Sequence, residues 1–505
     1  MRAQVAVVGG GPVGMLVAAE LAAYGVDTVL LESRADVSER PKATTLHARA
    51  VQCLARRGHL PAPAAPYAGP GARGARTGSP FHFAGLPGLF ITAPETEPEP
   101  ILKCPQARLE RQFEERAREA GARILREHRV TGVVQDEEAD GVRITAEGPQ
   151  GPVVYDVRYV VGADGARSTV RERAGIASDT HPATISALMG AVRLAEPDAL
   201  APGWHRTPRG WIVAKGDAEG MTHIRTLNCA GAHADRHLPP TQEELRREVS
   251  WIAGREIAMG EARWLGRFSD FSRLARTFRE GRVFLVGDAA HVHFPIGGQG
   301  LSTGVLDALN LAWKLALAVR GEAGPQLLGT YDAERRPVAR RVIENTRAQL
   351  ALMRPGPELD ALRGVFSGLL AQEGAQGHLG GLISAQDTVL PAVLPARSGR
   401  SCPSAGTFLH NAVLTTSTGE TDVIRLLQGG RPLLLLLGEK GAGHREEARD
   451  WDGILRVVRA RPTPDVPYEA LLVRPDGYIA WAPGGADLAD ALSVYFAGGA
   501  RTACR

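Results

Sequence analysis

Between residues 3 and 32 the chain reads as strand, helix and second strand, with a glycine triplet at the first join. "QVAVVGG" is a buried β run, "PVGMLVAAELAAYG" has helical spacing and ends at Gly25, and "DTVLLE" is the second strand. Gly9, Gly11 and Gly14 stand at the G-x-G-x-x-G spacing. The first permits a tight turn, the second lets a pyrophosphate approach the backbone, and the third lets helix and strand pack closely. Glu32 ends the second strand, at the distance where an acid accepts the ribose hydroxyls of adenosine. A ribose 2′-phosphate there would place two anions together. Strand, helix, strand and terminal acid in this order predict a dinucleotide-binding α/β unit. No second G-x-G-x-x-G opens a strand–helix pair elsewhere, so a nicotinamide dinucleotide would have to dock without its own fingerprint.

The remaining 470-odd positions are too many for one ordinary core, and two or three domains are expected of 505 residues. A net charge of +3, with acids and arginines mixed along helices, speaks against a nucleic-acid or polyanion partner. Five cysteines, with no CxxC pair among them, suggest neither a zinc site nor a dithiol centre, and a sparse odd count fits reduced thiols in a cytoplasm. The first apolar run reads as part of the fold, so a signal peptide is not expected. No stretch of about 18 apolar residues exists that would cross a membrane.

Two more motifs sit far down the chain. "VVGADGARSTVR" (Val160 to Arg171) places Asp164-Gly165 after a strand and before a helix, where Asp164 can cap backbone amides and Arg167 and Arg171 offer charge to a phosphate. "RVFLVGDAAHVHFPIGGQGLSTGVLDALNLAWKLA" (Arg282 to Ala316) breaks a β run at Gly287-Asp288 and opens a long helix behind Gly297, Gly298 and Gly300. Its N-terminal amides carry partial positive charge toward one small region, with Asp288 beside them to accept from hydroxyls. Residues 61 to 100 turn rich in Pro and Gly and read as a long loop on the substrate side. "GPGARGARTG" within it lacks the ending and the preceding strand of a phosphate loop. "PQARLERQFEERAREAG" is a charged helix ending at Gly121, short strands follow at Arg123 to Arg126, Val142 to Ala146 and Val153 to Val157, and residues 180 to 275 alternate β-like stretches with turns. Helices dominate to about residue 395. The tail restarts with "RPLLLLLG" and "EALLVRPDGYIAW" and reads as a separate small α/β domain.

These three motifs, in this order and spacing, resemble the single-component FAD-dependent aromatic hydroxylases of the p-hydroxybenzoate hydroxylase fold. The segment "PKATTLHARAVQCLARRGHL", the length and the tail are most similar to hydroxylases of aromatic polyketides. The resemblance implies a Rossmann-like FAD-binding domain (residues 1–70, 101–180 and 276–395) interleaved with a β-sheet substrate domain (71–100 and 181–275), plus a thioredoxin-like C-terminal α/β domain (398–505). It implies FAD as cofactor, NADPH or NADH as co-substrate, and hydroxylation of a polycyclic aromatic compound by dioxygen through a flavin C4a-hydroperoxide, in a cytoplasmic monomer or homodimer.

Carried over by position, Gly9, Gly11, Pro12, Val13 and Gly14 would hold the pyrophosphate, Glu32 the adenosine ribose and Arg34 the adenine edge. Lys42 stands where relatives carry an arginine near the pyrophosphate, keeping the charge without the bidentate fork. Gln106 would contact the ribityl region, Asp164 belongs to the Asp-Gly motif and Asp288 would bind a ribityl hydroxyl. Pro295, Gly298, Gly300, Leu301 and Ser302 would lie along the flavin ring; Ser302 replaces the more usual Asn, so only its amide is expected to reach the ring. The resemblance names no catalytic side chain, and His47, His291 and His293 read as structural. Cys402 has no CxxC partner, so a thiol-redox role for the tail is not expected. The alternatives that keep the cofactor are Baeyer–Villiger insertion and hydroxylation that inactivates a drug-like molecule. A flavin-free escort protein is the alternative that does not.

Overall fold

The computed structural model describes residues 1–40, 42–60, 76–136, 140–233, 238–393 and 404–497. Its central sheet runs Arg279–Glu280, Val283–Leu285, Gly151–Gly162, Arg2–Val8, Thr28–Leu31, Arg123–Leu125. Pairing is parallel from Val283–Leu285 across to Arg123–Leu125. A parallel sheet is covered on both faces, which is why its strands are solid apolar runs rather than alternating ones. The register sets Val8 beside Gly162 and Gly162 beside Leu285. The turns after these three strands therefore emerge side by side, and they are the turns that carry the three motifs.

The helix Pro12–Ala23 is buried almost all round, between the sheet, the helix Gln106–Glu119 and the helix Gly300–Arg320. Fully buried side chains such as Leu16 and Leu21 each stabilise this packing by about 2 kcal/mol. Two glycines set the closeness of approach. A Cβ at Gly14 would lie 2.0 Å from the Gly9 carbonyl oxygen, and one at Gly304 would lie 2.7 Å from Val13. The strand Gly151–Gly162 extends beyond the parallel core and pairs antiparallel with Gly141–Gly148, which pairs in turn with Arg129–Asp136. That last strand escapes sequence reading because its register shifts between Val130 and Gly132, which breaks the alternation.

A second, antiparallel sheet has the order Gly203–Thr207, Gly210–Gly216, Thr222–Asn228, Ser186–Leu194, Met259–Ser269. One face, with Leu188, Ile212, Ala214 and Ile224, packs on Leu245, Val249 and Ile252 of the helix Gln242–Ala253. This helix is absent from the sequence reading although its signals are present: Thr241 accepts from the Glu244 amide at its start, and Gly254 ends it at φ 72°. The other face, with Ala187, Trp211 and Leu227, packs on Phe294 and Ile296, just ahead of the glycine cluster.

The expectation of a loop over residues 61 to 100 is corrected in part. Residues 61–75 lie outside the described residues, while Arg76–Phe83 and Leu86–Pro94 form a hairpin. Its two-residue turn is Ala84-Gly85, both at positive φ (52° and 72°), a conformation that Asn-Gly would have advertised and Ala-Gly does not. The Ala84 amide donates to Gln349 and its carbonyl accepts from Arg363, which hold the turn in place.

Beyond the helices Thr330–Met353, Pro357–Leu370 and Glu373–Ser384, the tail forms a mixed sheet in the order Gly419–Asp422, Val413–Thr416, Arg456–Ala460, Leu433–Leu437, Ala470–Val473, Ile479–Trp481. Leu434, Leu436, Leu472 and Trp481 share one cluster with Trp313, Leu317 and Leu327, so the tail's sheet closes against the back of the helix Gly300–Arg320. The strand and turn at "RPDGY" also reach inward. Arg474, with side chain 3% exposed, donates to Glu334 at 2.8 Å and to Asp476 at 2.6 Å, and Lys314 donates to the same Glu334 at 2.8 Å.

Candidate active site

At the end of Arg2–Val8, Gly9 turns at φ 105°, and a Cβ there would collide with Ala163 at 2.4 Å. The next glycine, Gly10, lies against Glu32 and donates its amide to that carboxylate at 2.6 Å. Glu32 also accepts from the Arg34 amide at 2.8 Å and from Ser33. Beside Gly11 the space is open, with no protein atom within 4 Å of a Cβ built there. The helix behind it has no side-chain cap. Its first closing bond runs from the Met15 amide to Gly11, so Val13 and Gly14 keep free amides and Pro12 has none to offer. Open space against uncapped amides is the cradle that a pyrophosphate fits.

The opposite end has the same character. Gly297 and Gly298 take positive φ (75° and 63°), and the helix Gly300–Arg320 starts without a side-chain cap. Its first closing bond is from Thr303 to Gln299 at 2.9 Å, leaving the amides of Gly300, Leu301 and Ser302 without helical acceptors. The Ser302 hydroxyl is buried and accepts from the His47 amide at 3.0 Å. Asp288 is exposed, and no hydrogen bond to its carboxylate is present among the described residues, so it remains available to hydroxyls. Pro295 is exposed at the loop that leads into the helix.

Sequence reading missed what holds this loop. Asp307, fully buried two turns into the helix, accepts from the Gly287 amide at 3.1 Å, from His291 at 2.7 Å and from Arg335 at 2.8 Å. Burial pushes its carboxyl up, and the Arg335 and His291 side chains more than offset this, leaving it below the usual carboxylate range. The signal was legible: an acid inside the apolar run "VLDALNLAW" requires a buried partner. His47 also braces this loop. It ends the strand Thr45–His47 and precedes the helix Ala48–Arg56, and its Nε2–H donates to the Gly297 carbonyl at 2.8 Å. Burial lowers its pKa to about 4, so it is neutral, and its Nδ1 is buried without a partner among the described residues.

Of the middle motif, Asp164 accepts from Ser168 and from the Val170 amide at 3.0 Å. Arg171, read as charge for a phosphate, is 3% exposed and donates to the carbonyls of Ala289 and Ala166, tying the second motif to the third. Its buried guanidinium, with the Glu172 carboxylate 3.8 Å away as well, ties these turns together. Arg167 is exposed. Arg34 and Lys42 are exposed and Gln106 is half-buried. Gln106 begins its helix and donates its amide to Ala43. Glu110, one turn further along, was not anticipated. Burial lifts it to about 7, with Glu32 adding to the rise against Arg126, Arg34 and Lys42.

A dinucleotide cradle at one end, an anion-favouring helix start at the other and a capped aspartate turn between them form one elongated site on neighbouring strands. That is the arrangement of a flavoprotein whose cofactor lies across the carboxyl edge of a parallel sheet, and the residues fit FAD. The chain belongs to the FAD-binding aromatic-ring hydroxylases: residues 2–346 match the FAD binding domain and residues 402–498 the aromatic-ring hydroxylase C-terminal domain. Anhydrotetracycline monooxygenase of Streptomyces rimosus is 37% identical, covering 98% of this chain and 99% of that one. Dialkyldecalin synthase of Streptomyces rugosporus is 35% identical over 98% and 99%. The solved structure of CabE, an aromatic hydroxylase from angucycline biosynthesis, superposes with a TM-score of 0.87 at 34% identity, over 98% and 99% of the two chains.

Proposed function

We propose that the protein is a monooxygenase that uses FAD, NADPH or NADH, and dioxygen to hydroxylate a polycyclic aromatic compound of the polyketide type. The observation that carries this reading is the meeting of two surfaces. The register of Val8, Gly162 and Leu285 aligns the three cofactor motifs, and the face of the second sheet bearing Trp211 and Leu227 closes over the loop that ends the third. FAD bound there supplies the redox chemistry, taking a hydride from the nicotinamide and activating dioxygen for transfer of one oxygen atom to an aromatic ring.

The chain's own residues supply position, charge and dryness. Val13 and Gly14 amides would hold the pyrophosphate, Glu32 the ribose and Asp288 a hydroxyl of the linking chain. The amides of Gly300, Leu301 and Ser302, left without helical acceptors, would stabilise negative charge on the reduced flavin, an arrangement set in advance by the helix start. His47 holds that loop at both ends, through the Gly297 carbonyl and the Ser302 hydroxyl. Water is kept out by aromatic side chains: Phe81 meets His47 edge-on at 5.1 Å, and His82 packs on Trp204 at 4.8 Å.

Purified protein is expected to be yellow and to oxidise NADPH faster in the presence of polycyclic phenols or quinones. Isotopically labelled dioxygen should appear in the product. Because a relative carries the name of a decalin synthase, label incorporation rather than substrate loss is the deciding readout. Failure to incorporate label would overturn the reading. NMR of the product separates ring hydroxylation from Baeyer–Villiger insertion, which have the same mass.

A further inference from the structure

Across the second sheet one row of side chains reads Trp204, Val213, Arg225, Met189. Since Trp204 packs on His82 of the hairpin, this row faces the cleft rather than the helix Gln242–Ala253. Lys215 lies two residues beyond Val213 on the same strand, which makes it a diagonal neighbour of Arg225 on that face. Lys103 comes from the other wall. It ends the strand Ile101–Lys103, and its Nζ donates to Thr45 Oγ1 at 2.8 Å. Thr45 borders the glycine loop, where a Cβ at Gly298 would lie 3.6 Å from it.

Among the described residues none of the three cations has an ion pair, and other acids nearby are occupied. Asp217, at the end of the Lys215 strand, accepts from the amides of Glu219 and Met221 and lies 3.0 Å from His223 Nε2. Arg206, on the same face, pairs with Asp360. Lys103, Lys215 and Arg225 are all exposed at the cleft; partial desolvation holds Lys103 below the ordinary lysine range, and the charges of Lys215 and Arg225 push it the same way. Partial desolvation likewise lowers Arg225. The other titratable groups at this spot are His47 and His82, both held to about 4 by burial with the Lys103 charge adding, and each has a buried Nδ1 without a partner among the described residues. The three like charges repel one another beside two neutral imidazoles, while the neighbouring acids Asp217 and Asp360 are engaged by other groups. An anion that enters relieves this repulsion and meets all three cations.

We propose that Lys103, Lys215 and Arg225 form a subsite for an oxyanion of the aromatic substrate, an ionised ring hydroxyl or enol. This rests on the hydroxylase reading and names the substrate class for it. The walls favour an oxyanion carried by a flat ring, since Phe81, His82 and Trp204 adjoin the cations. On binding, the O–H bond breaks, the electron pair stays on oxygen and the proton leaves to water, His47 and His82 being too weakly basic to keep it. The charge left on oxygen raises electron density at the ring carbons ortho and para to it, which are the carbons that accept an electrophilic oxygen.

The test uses the FAD-bound protein with alizarin, whose colour reports its ionisation, and with alizarin dimethyl ether, which cannot ionise. Below the ionisation range of free alizarin, bound alizarin should take the colour of its anion and bind about tenfold or more tightly than the ether. Lys103→Met and Arg225→Met should each weaken alizarin about tenfold, return its colour toward neutral and leave ether binding, flavin content and the KM for NADPH unchanged. Equal binding of alizarin and the ether, unaffected by the variants, would overturn the subsite while substrate-stimulated NADPH oxidation left the hydroxylase reading standing. A raised KM for NADPH with unchanged alizarin binding would overturn it in favour of a dinucleotide phosphate. Absence of any polycycle binding or stimulated oxidation would overturn both.

Discussion

A methyl group added at Gly11 meets no protein atom within 4 Å, whereas one added at Gly14 lands 2.0 Å from the Gly9 carbonyl oxygen. The two glycines of one motif thus answer to different causes, a ligand in the first case and the chain itself in the second. Gly11→Ala is expected to leave the thermal stability of flavin-free protein nearly unchanged while lowering bound flavin about tenfold or more. Gly14→Ala should lower both, as read by calorimetry and by flavin absorbance. Glu110 gives a pH signature. An unfolded glutamate ionises near 4.5 and the folded one at about 7, so the stability from its protonated form is full below the first value and is lost as pH rises through the second. Glu110→Gln should therefore raise Tm at about pH 8 and change it little at about pH 4. Gly9, Gly11, Gly14 and Glu32 were legible because each sits where a rule of local geometry applies. Glu110 was not, since only the fold brings its helix against Glu32.

At the scale of elements, the helix Gly300–Arg320 does two jobs with its two ends of charge: free amides in front and the Asp307 carboxylate underneath the Gly287-Asp288 turn. Asp307→Asn keeps the shape and removes the charge that Arg335 faces. It is expected to cost about 3–5 kcal/mol, measured as a fall in the urea midpoint, with part recovered in the Asp307→Asn/Arg335→Met double variant. A loss of flavin greater than the loss of fold would show that the turn is held for the cofactor. The three motif-bearing helices and the strands before them were readable from periodicity, because each is buried on a regular face. The strand Arg129–Asp136, the hairpin turn Ala84-Gly85 and the helix Gln242–Ala253 were not read. The first is broken by a register shift, the second lacks the usual turn residues, and the third lies within a run of strands that masks its caps.

For the whole molecule, the tail's contacts decide its standing. Arg56 and Glu97, both with fully buried side chains, pair at 2.7 Å, and the same two residues bind the Leu409 carbonyl and the Asn411 amide of the tail. Arg474 joins Glu334 and Asp476 under Trp313. Arg474→Met would leave two buried carboxylates short of a partner, at a cost of about 3–5 kcal/mol. Because the hydrophobic cluster is shared as well, tryptophan fluorescence and far-ultraviolet dichroism should fall in one coincident transition, and a separate early unfolding of the tail would contradict that. In the sequence the tail reads as a separate small α/β domain, and apolar runs such as "LLLLLG" reveal burial but not which residues of the rest of the chain share it. The alignment of Val8, Gly162 and Leu285 also bears on synthesis. A ribosome delivers the chain from its first residue onward, so the first two cofactor turns can be in place while the third and its helix are still being made. A nascent chain halted before the third turn has two of the three cofactor turns and lacks the helix start that completes the cradle.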